Sequence, residues 1–167
     1  MSKAFTRESD DAPEPSPSLR PATVLPPGTK NYMTAGGMKR LRAEWDRWKD
    51  LLATATGPGA DAERTRAMAE SRILQLQRIL DSAVVVPPAA PDNKVRFGAT
   101  VTVRARSGEI TEYRIVGVDE TDADRDWVSW LSPVAKALTG KSVGDRVRIR
   151  LPAGDMELEI TGIHYQD

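Results

Sequence analysis

Apolar positions in the first half of the chain recur every three or four residues, and in the second half every two. From Thr34 onward, Met38, Leu41, Trp45, Trp48, Leu52 and Ala55 alternate spacings of three and four, the seam of an amphipathic helix. Thr34 is placed as its N-cap, with Gly36 and Gly37 weakening the first turn by about 1 kcal/mol each relative to alanine. Gly57-Pro58-Gly59 stops this helix. Asp61 starts a second, with Ala62, Ala69, Ile73, Leu76, Leu80 and Ala83 along one face, and Pro87-Pro88 closes it. Two such helices joined by a tight turn predict an antiparallel hairpin, a coiled coil whose arms of about 22 residues span roughly 33 Å.

After Asn93 the period changes. Val95 and Phe97, Val101 and Val103, Tyr113 and Ile115, Val147 with Ile149 and Leu151, and Leu158 with Ile160 alternate as in half-buried strands. Between the third and fourth runs, Ser132 caps a short helix that Pro133 opens and Gly140 stops. The pattern predicts an α+β chain: an N-terminal antiparallel helical hairpin, then a sheet of four or five short strands crossed by one short helix. The expected divisions are a Pro-rich leader over residues 1–29, the hairpin over 30–86, a linker over 87–94 and the sheet domain over 95–167. The leader carries few large apolar groups, too few to offset the entropy of ordering, and is expected to be disordered.

Composition narrows the function classes. Lys plus Arg equal Asp plus Glu at 24 each, so net charge gives no argument for a nucleic-acid partner. There is no cysteine, which excludes disulfides and thiolate metal sites. His164 is the only histidine, and without converging carboxylates it reads as strand-edge packing rather than a metal ligand. No residue set reads as catalytic and no cofactor motif is present. No apolar run reaches membrane-spanning length, and no apolar stretch follows Lys3 and Arg7 as a signal peptide requires. A soluble cytoplasmic protein is expected.

Five blocks of the second half form a recognisable set. They are Val95-Arg96-Phe97-Gly98-Ala99-Thr100-Val101-Thr102-Val103, Tyr113 to Glu120, Ser132 to Asp145, Pro152-Ala153-Gly154-Asp155 and Ile160 to Tyr165. In order and close to spacing, they resemble the C-terminal domain of the bacterial Gre-type transcript cleavage factors, GreA and GreB. The resemblance implies an FKBP-like fold for this half and a partner, RNA polymerase, bound at the rim of its secondary channel. It further implies a coiled coil that reaches down the channel, a monomer, and indirect contact with nascent RNA or DNA in the transcription complex. By position within the family pattern, Ser132, Pro133, Val134 and Ala135, with Asp119 and Glu120, are the candidate polymerase-binding residues. The family's cleavage function rests on two acidic residues at the coil tip that help hold a catalytic Mg²⁺ in the polymerase active centre; the polymerase remains the enzyme.

The tip of this chain departs from that pattern. The turn reads Thr54-Ala55-Thr56-Gly57-Pro58-Gly59-Ala60-Asp61-Ala62-Glu63-Arg64, without the family's Gly-Asp-x-x-Glu-Asn-Ala run. Asp61 and Glu63 are two apart, which on a helix points them about 160° from each other. The arms are also shorter than the family's by roughly two turns each, about 10 Å of reach. Carboxylate–metal bonds of about 2.0–2.6 Å leave no way to absorb such a deficit. The expectation is polymerase binding without stimulation of transcript cleavage. The alternatives are a cleavage-stimulating factor that uses Asp61 and Glu63, and a nucleic-acid-binding module that uses the strand Arg146, Arg148, Arg150, with Arg104 and Arg106 nearby. Lys39, Arg40, Arg42, Arg47 and Lys49 interleave with Glu44, Asp46 and Asp50 on the first helix and read as a solvated, salt-bridged face. Peptidyl-prolyl isomerisation, a rival activity known on FKBP-like folds, would need an aromatic-lined apolar pocket, whereas the second half offers only Phe97, Tyr113, Trp127, Trp130 and Tyr165, and Trp127 and Trp130 read as part of an Asp-rich loop.

Overall fold

A computed structural model describes residues 25–89 and 92–165 of the chain. Most of the proposed leader, residues 1–24, lies outside the described residues. The helical half opens with a short strand, β1 (Asn31–Thr34), that runs directly into α1 (Ala35–Thr54). Thr34 is the N-cap, as the sequence predicts: its hydroxyl oxygen accepts from the Gly37 N–H at 2.9 Å. Gly57 and Gly59, at φ of 123° and 144°, turn the chain through conformations that favour glycine. Helix α2 (Ala60–Ser82) then returns antiparallel to α1. Met33, Leu41 and Leu76 are buried in this half, with Met38, Trp45, Trp48, Ile79, Leu80 and Ala83 packed around them. Trp45 and Trp48 therefore belong to the seam, as expected.

The second helix does not continue to Pro87. It ends at Ser82, and β2 (Ala83–Val86) follows. Three successive valines restrict χ1 and suit a pleated backbone better than a helix, and an edge was available to them. They pair in parallel with β1, Asn31 opposite Ala83 through Thr34 opposite Val86. Both ends of the hairpin are thus tied to each other at its base, a feature the heptad pattern did not announce.

The second half is a five-stranded sheet, so the α+β class holds. Its strands are β3 (Ala99–Ala105), β4 (Ile110–Val116), β5 (Trp127–Ser129), β6 (Arg146–Leu151) and β7 (Gly154–Tyr165), in the order β5-β4-β3-β7-β6. All neighbours are antiparallel except β4 and β5. Short 3-10 turns at Val118–Glu120 and Ala123–Arg125 connect β4 to β5. Helix α3 (Pro133–Leu138) packs Ala135 and Leu138 onto the sheet, where they join Val101, Val103, Ile115, Val147, Ile149, Leu158 and Ile160. Completely buried side chains such as Ile115, Leu138 and Ile160 each contribute about 1.5–3 kcal/mol of transfer free energy.

Two expectations need correcting here. Val95 and Phe97 alternate like a strand but lie outside any; Val95 is instead held by backbone bonds to Gly140 and Lys141. The Asp-rich segment containing Trp127, read as loop, contributes the edge strand β5. Among the described residues, no helix is long and apolar enough to cross a membrane.

Candidate functional site

The four groups of residues that the sequence singles out fall in different places. At the hairpin tip, Asp61 and Glu63 occupy the first turn of α2, where acidic charge complements the helix dipole. Both are exposed, and the nearest cation to Asp61 is Arg64 at 4.0 Å. Nothing draws the two carboxylates together. Among the described residues there is no group of three or more His, Cys, Asp or Glu side chains that could hold a metal ion.

Along β6, Arg146, Arg148 and Arg150 are exposed on one face, as their alternation predicts. They are not a free basic strip. The neighbouring strand β7 sets Glu159, Glu157 and Asp155 opposite them in register. Arg146 reaches Glu159 at 3.5 Å and Arg148 reaches Asp155 at 2.8 Å, while Arg104 and Arg106 pair with Glu159 and Glu157 at 3.4 and 2.7 Å. A ladder of mixed sign has much less to offer a phosphate backbone than the strand sequence alone suggests.

At α3, the Ser132 hydroxyl oxygen accepts from the Ala135 N–H at 3.1 Å and fixes the first turn. Pro133 is exposed, Val134 half-buried, and Ala135 wholly buried in the sheet core. Beside α3 lies an apolar cleft of about 530 Å³ lined by Tyr32, Val86, Phe97, Ile115 and Trp130, with Lys136 and Thr139 along one side. Tyr32, from β1, meets Trp130 edge-on at 5.2 Å and tilts against Phe97 at 6.1 Å.

The fourth group sits where the two halves meet. Glu120 is held within its own turn and by the start of α1 at the same time. Its Oε2 accepts from the Thr34 N–H at 2.8 Å and the Gly117 N–H at 3.0 Å. Its Oε1 accepts from the Thr34 hydroxyl at 2.5 Å and from Arg40 Nη2 at 3.2 Å. The side chain is only 1% exposed, so both oxygens are committed inside the molecule rather than offered to a partner. Asp119 is half-buried and accepts from Asn31 Nδ2 at 3.1 Å, while the same amide donates to the Ser82 hydroxyl at 3.1 Å. Burial pushes the Asp119 carboxyl above its ordinary range, against the opposing effect of the Asn31 hydrogen bond. Burial likewise lowers the Arg40 guanidinium, with Glu120 acting in the opposite direction. The Arg40, Arg114 and Arg125 guanidinium groups all lie over the Trp127 ring, at 4.7, 4.8 and 5.3 Å from its centroid.

Sequence reasoning did not find this junction. Thr34, Gly37, Arg40, Gly117 and Trp127 acquire roles only through contacts between distant parts of the chain. One signal was present: two glycines follow Ala35 in the first turn of α1, which has no acidic residue, so part of its N-terminus must be satisfied from elsewhere.

Comparison with known proteins points to one family. The family model for the C-terminal part of GreA/GreB transcription elongation factors matches residues 90–165. A GreA transcription elongation factor from Alkalilimnicola ehrlichii is 37% identical over 156 residues, covering 82% of this chain and 99% of the relative. A GreB from Xanthomonas axonopodis pv. citri is 38% identical over 160 residues, covering 84% and 95%. The solved GreA/GreB structure from Nitrosomonas europaea aligns at 27% identity over 82% of this chain and 99% of that one, with a TM-score of 0.41, too low to argue from. The sequence relationship spans both halves of the molecule, and on that ground the chain belongs to the GreA/GreB family of transcription elongation factors.

Proposed function

We propose that this protein binds bacterial RNA polymerase at the rim of the secondary channel, projects its hairpin into that channel, and does not stimulate transcript cleavage. In this reading residues 30–86 and 95–167 form two domains joined by a short linker. The protein is a cytoplasmic monomer that needs no cofactor, and it is a regulator of the polymerase rather than an enzyme. Ser132, Pro133 and Val134 present the docking surface, and Asp119, at the separate turn beside the start of α1, is a second point of contact. Ala135 and Glu120 support it from inside.

The observation that carries the reading is the tip. Asp61 and Glu63 are exposed, their spacing on α2 sets them to diverge, and among the described residues no group of three or more metal-ligating side chains includes them. The shorter coil expected from the sequence would act in the same direction. The Alkalilimnicola alignment extends over 156 residues yet takes in only 82% of a 167-residue chain, so about 19 aligned positions of the relative have no counterpart here. Placed in the hairpin and divided between its two arms, a deficit of that size would amount to between two and three helical turns on each. The hairpin would then occupy the channel without delivering carboxylates to the metal, and would compete with cleavage-competent factors.

A backtracked elongation complex tests this. The expected results are no cleavage stimulation by the protein alone and inhibition of cleavage when it is added in excess to a competent factor. Cleavage stimulated by the natural chain and lost in the D61A/E63A double variant would establish the alternative. Tight, steeply salt-dependent duplex binding without polymerase, lost on replacing Arg146, Arg148 and Arg150, would favour the nucleic-acid module.

A further inference from the structure

We propose that Glu120 is a latch that sets the direction in which the helical hairpin projects from the sheet half. The inference concerns the free protein and does not require that the chain bind polymerase. A carboxylate that only stabilised its own 3-10 turn would need the Gly117 N–H and nothing more. Three of the four bonds to Glu120 come instead from the hairpin: the Thr34 N–H, the Thr34 hydroxyl and the Arg40 guanidinium. These donors lie on the N-cap and on the second turn of α1, so they fix an orientation rather than a single point of contact. The carboxylate also supplies negative charge to a helix N-terminus that has no acidic residue of its own.

The backbone on both sides is shaped to admit the latch. A Cβ on Gly37 would stand 1.9 Å from Glu120 Oε1, and a Cβ on Gly117 would stand 2.2 Å from the Tyr32 carbonyl oxygen. Glycine at these two positions lets helix, turn and carboxylate close onto one another. Two further struts cross the same junction. Asn31 bridges Asp119 and Ser82, and Arg40 lies over Trp127 after reaching Glu120.

Because the chain contains no cysteine, two introduced ones report a single distance. Spin labels at T56C, in the exposed tip, and S107C, in the exposed β3–β4 turn, would be measured by double electron–electron resonance. The parent should give one narrow distance distribution. E120A should broaden it at least twofold or add a second population, with far-UV helicity retained, and E120Q should fall between them. A folded E120A protein whose distribution keeps the parent's mean and width overturns the proposal, even if its melting temperature drops, because the carboxylate would then stabilise without orienting. Should E120A fail to fold, G37A carries the test with the same readings, since it keeps every residue of the latch and displaces the carboxylate only by a Cβ that would stand 1.9 Å from Glu120 Oε1.

Discussion

Replacing Gly37 with alanine should destabilise the protein, while the same replacement at its neighbour Gly36 should not. Alanine is favoured over glycine in a helix by up to about 1 kcal/mol, so propensity alone predicts a gain at both positions. At Gly36 the new Cβ meets Arg40 Nη1 at 3.3 Å, the far end of a flexible side chain, and Thr34 Oγ1 at 4.0 Å, an ordinary contact. At Gly37 it meets three atoms of one buried side chain, Oε1 at 1.9 Å, Cδ at 2.2 Å and Cγ at 2.8 Å of Glu120. Turning the carboxylate relieves the first contact but not the other two, so the whole side chain must withdraw. The Thr34 N–H, the Thr34 hydroxyl and the Gly117 N–H then lose a charged acceptor, at about 1.5–3 kcal/mol each before water replaces part of the loss. Against the helix gain, the net cost should be on the order of 3 kcal/mol. Urea unfolding followed by tryptophan fluorescence measures both variants, since Trp127 and Trp130 lie at this junction. A Gly37→Ala protein as stable as Gly36→Ala would refute the reasoning.

The other predictions address separate parts of the molecule. Because the folded Asp119 carboxyl titrates above its ordinary range, the folded state holds that proton more tightly. Its contribution to stability is therefore full below the unfolded value and is lost as pH rises through the folded one. D119N, whose side-chain oxygen still accepts from Asn31, should lose that fall in urea midpoints measured from pH 3 to 7; an identical profile would dissociate the effect from Asp119. Leu76→Ala removes a fully buried side chain from the thin hairpin core and should cost about 2–5 kcal/mol, seen as early loss of helical circular dichroism on heating. Arg148→Ala breaks a solvent-exposed pair with Asp155 and should change stability by less than about 1 kcal/mol in the same melts.

Much of the fold was legible because its local rules agreed with its tertiary ones. The Thr34 cap, the Gly57-Pro58-Gly59 turn, the three-and-four spacing along each hairpin helix and the Ser132–Pro133 start of α3 are each written in residues close together in the sequence. What could not be read depended on pairing between remote segments. Asn-Tyr-Met-Thr has no strand signature, and it becomes β1 only because Ala-Val-Val-Val lies alongside it 52 positions later. The three-residue strand β5 is too short to show alternation. For the site, the sequence placed Asp61 and Glu63 at the start of the second helix, where they stand, whereas Arg146, Arg148 and Arg150 suggested a basic patch until β7 supplied its opposing charges. Glu120 is the sharpest case: the sequence marked it as notable, but its partner Thr34 stands 86 positions away, and only that contact turns a surface candidate into an internal one.

The parallel pairing of β1 with β2 gives the hairpin the mechanics of a cantilever. Both arms are clamped at one end, and the free end carries only the tip turn. With α1 about 30 Å long, a tilt of about 10° at the clamp would sweep the tip through roughly 5 Å. Small changes in packing at the base are therefore magnified at the far end. Conversely, rewriting the sequence at the tip leaves the clamp untouched, so a chain of this design can change what its probe carries without changing how the probe is mounted.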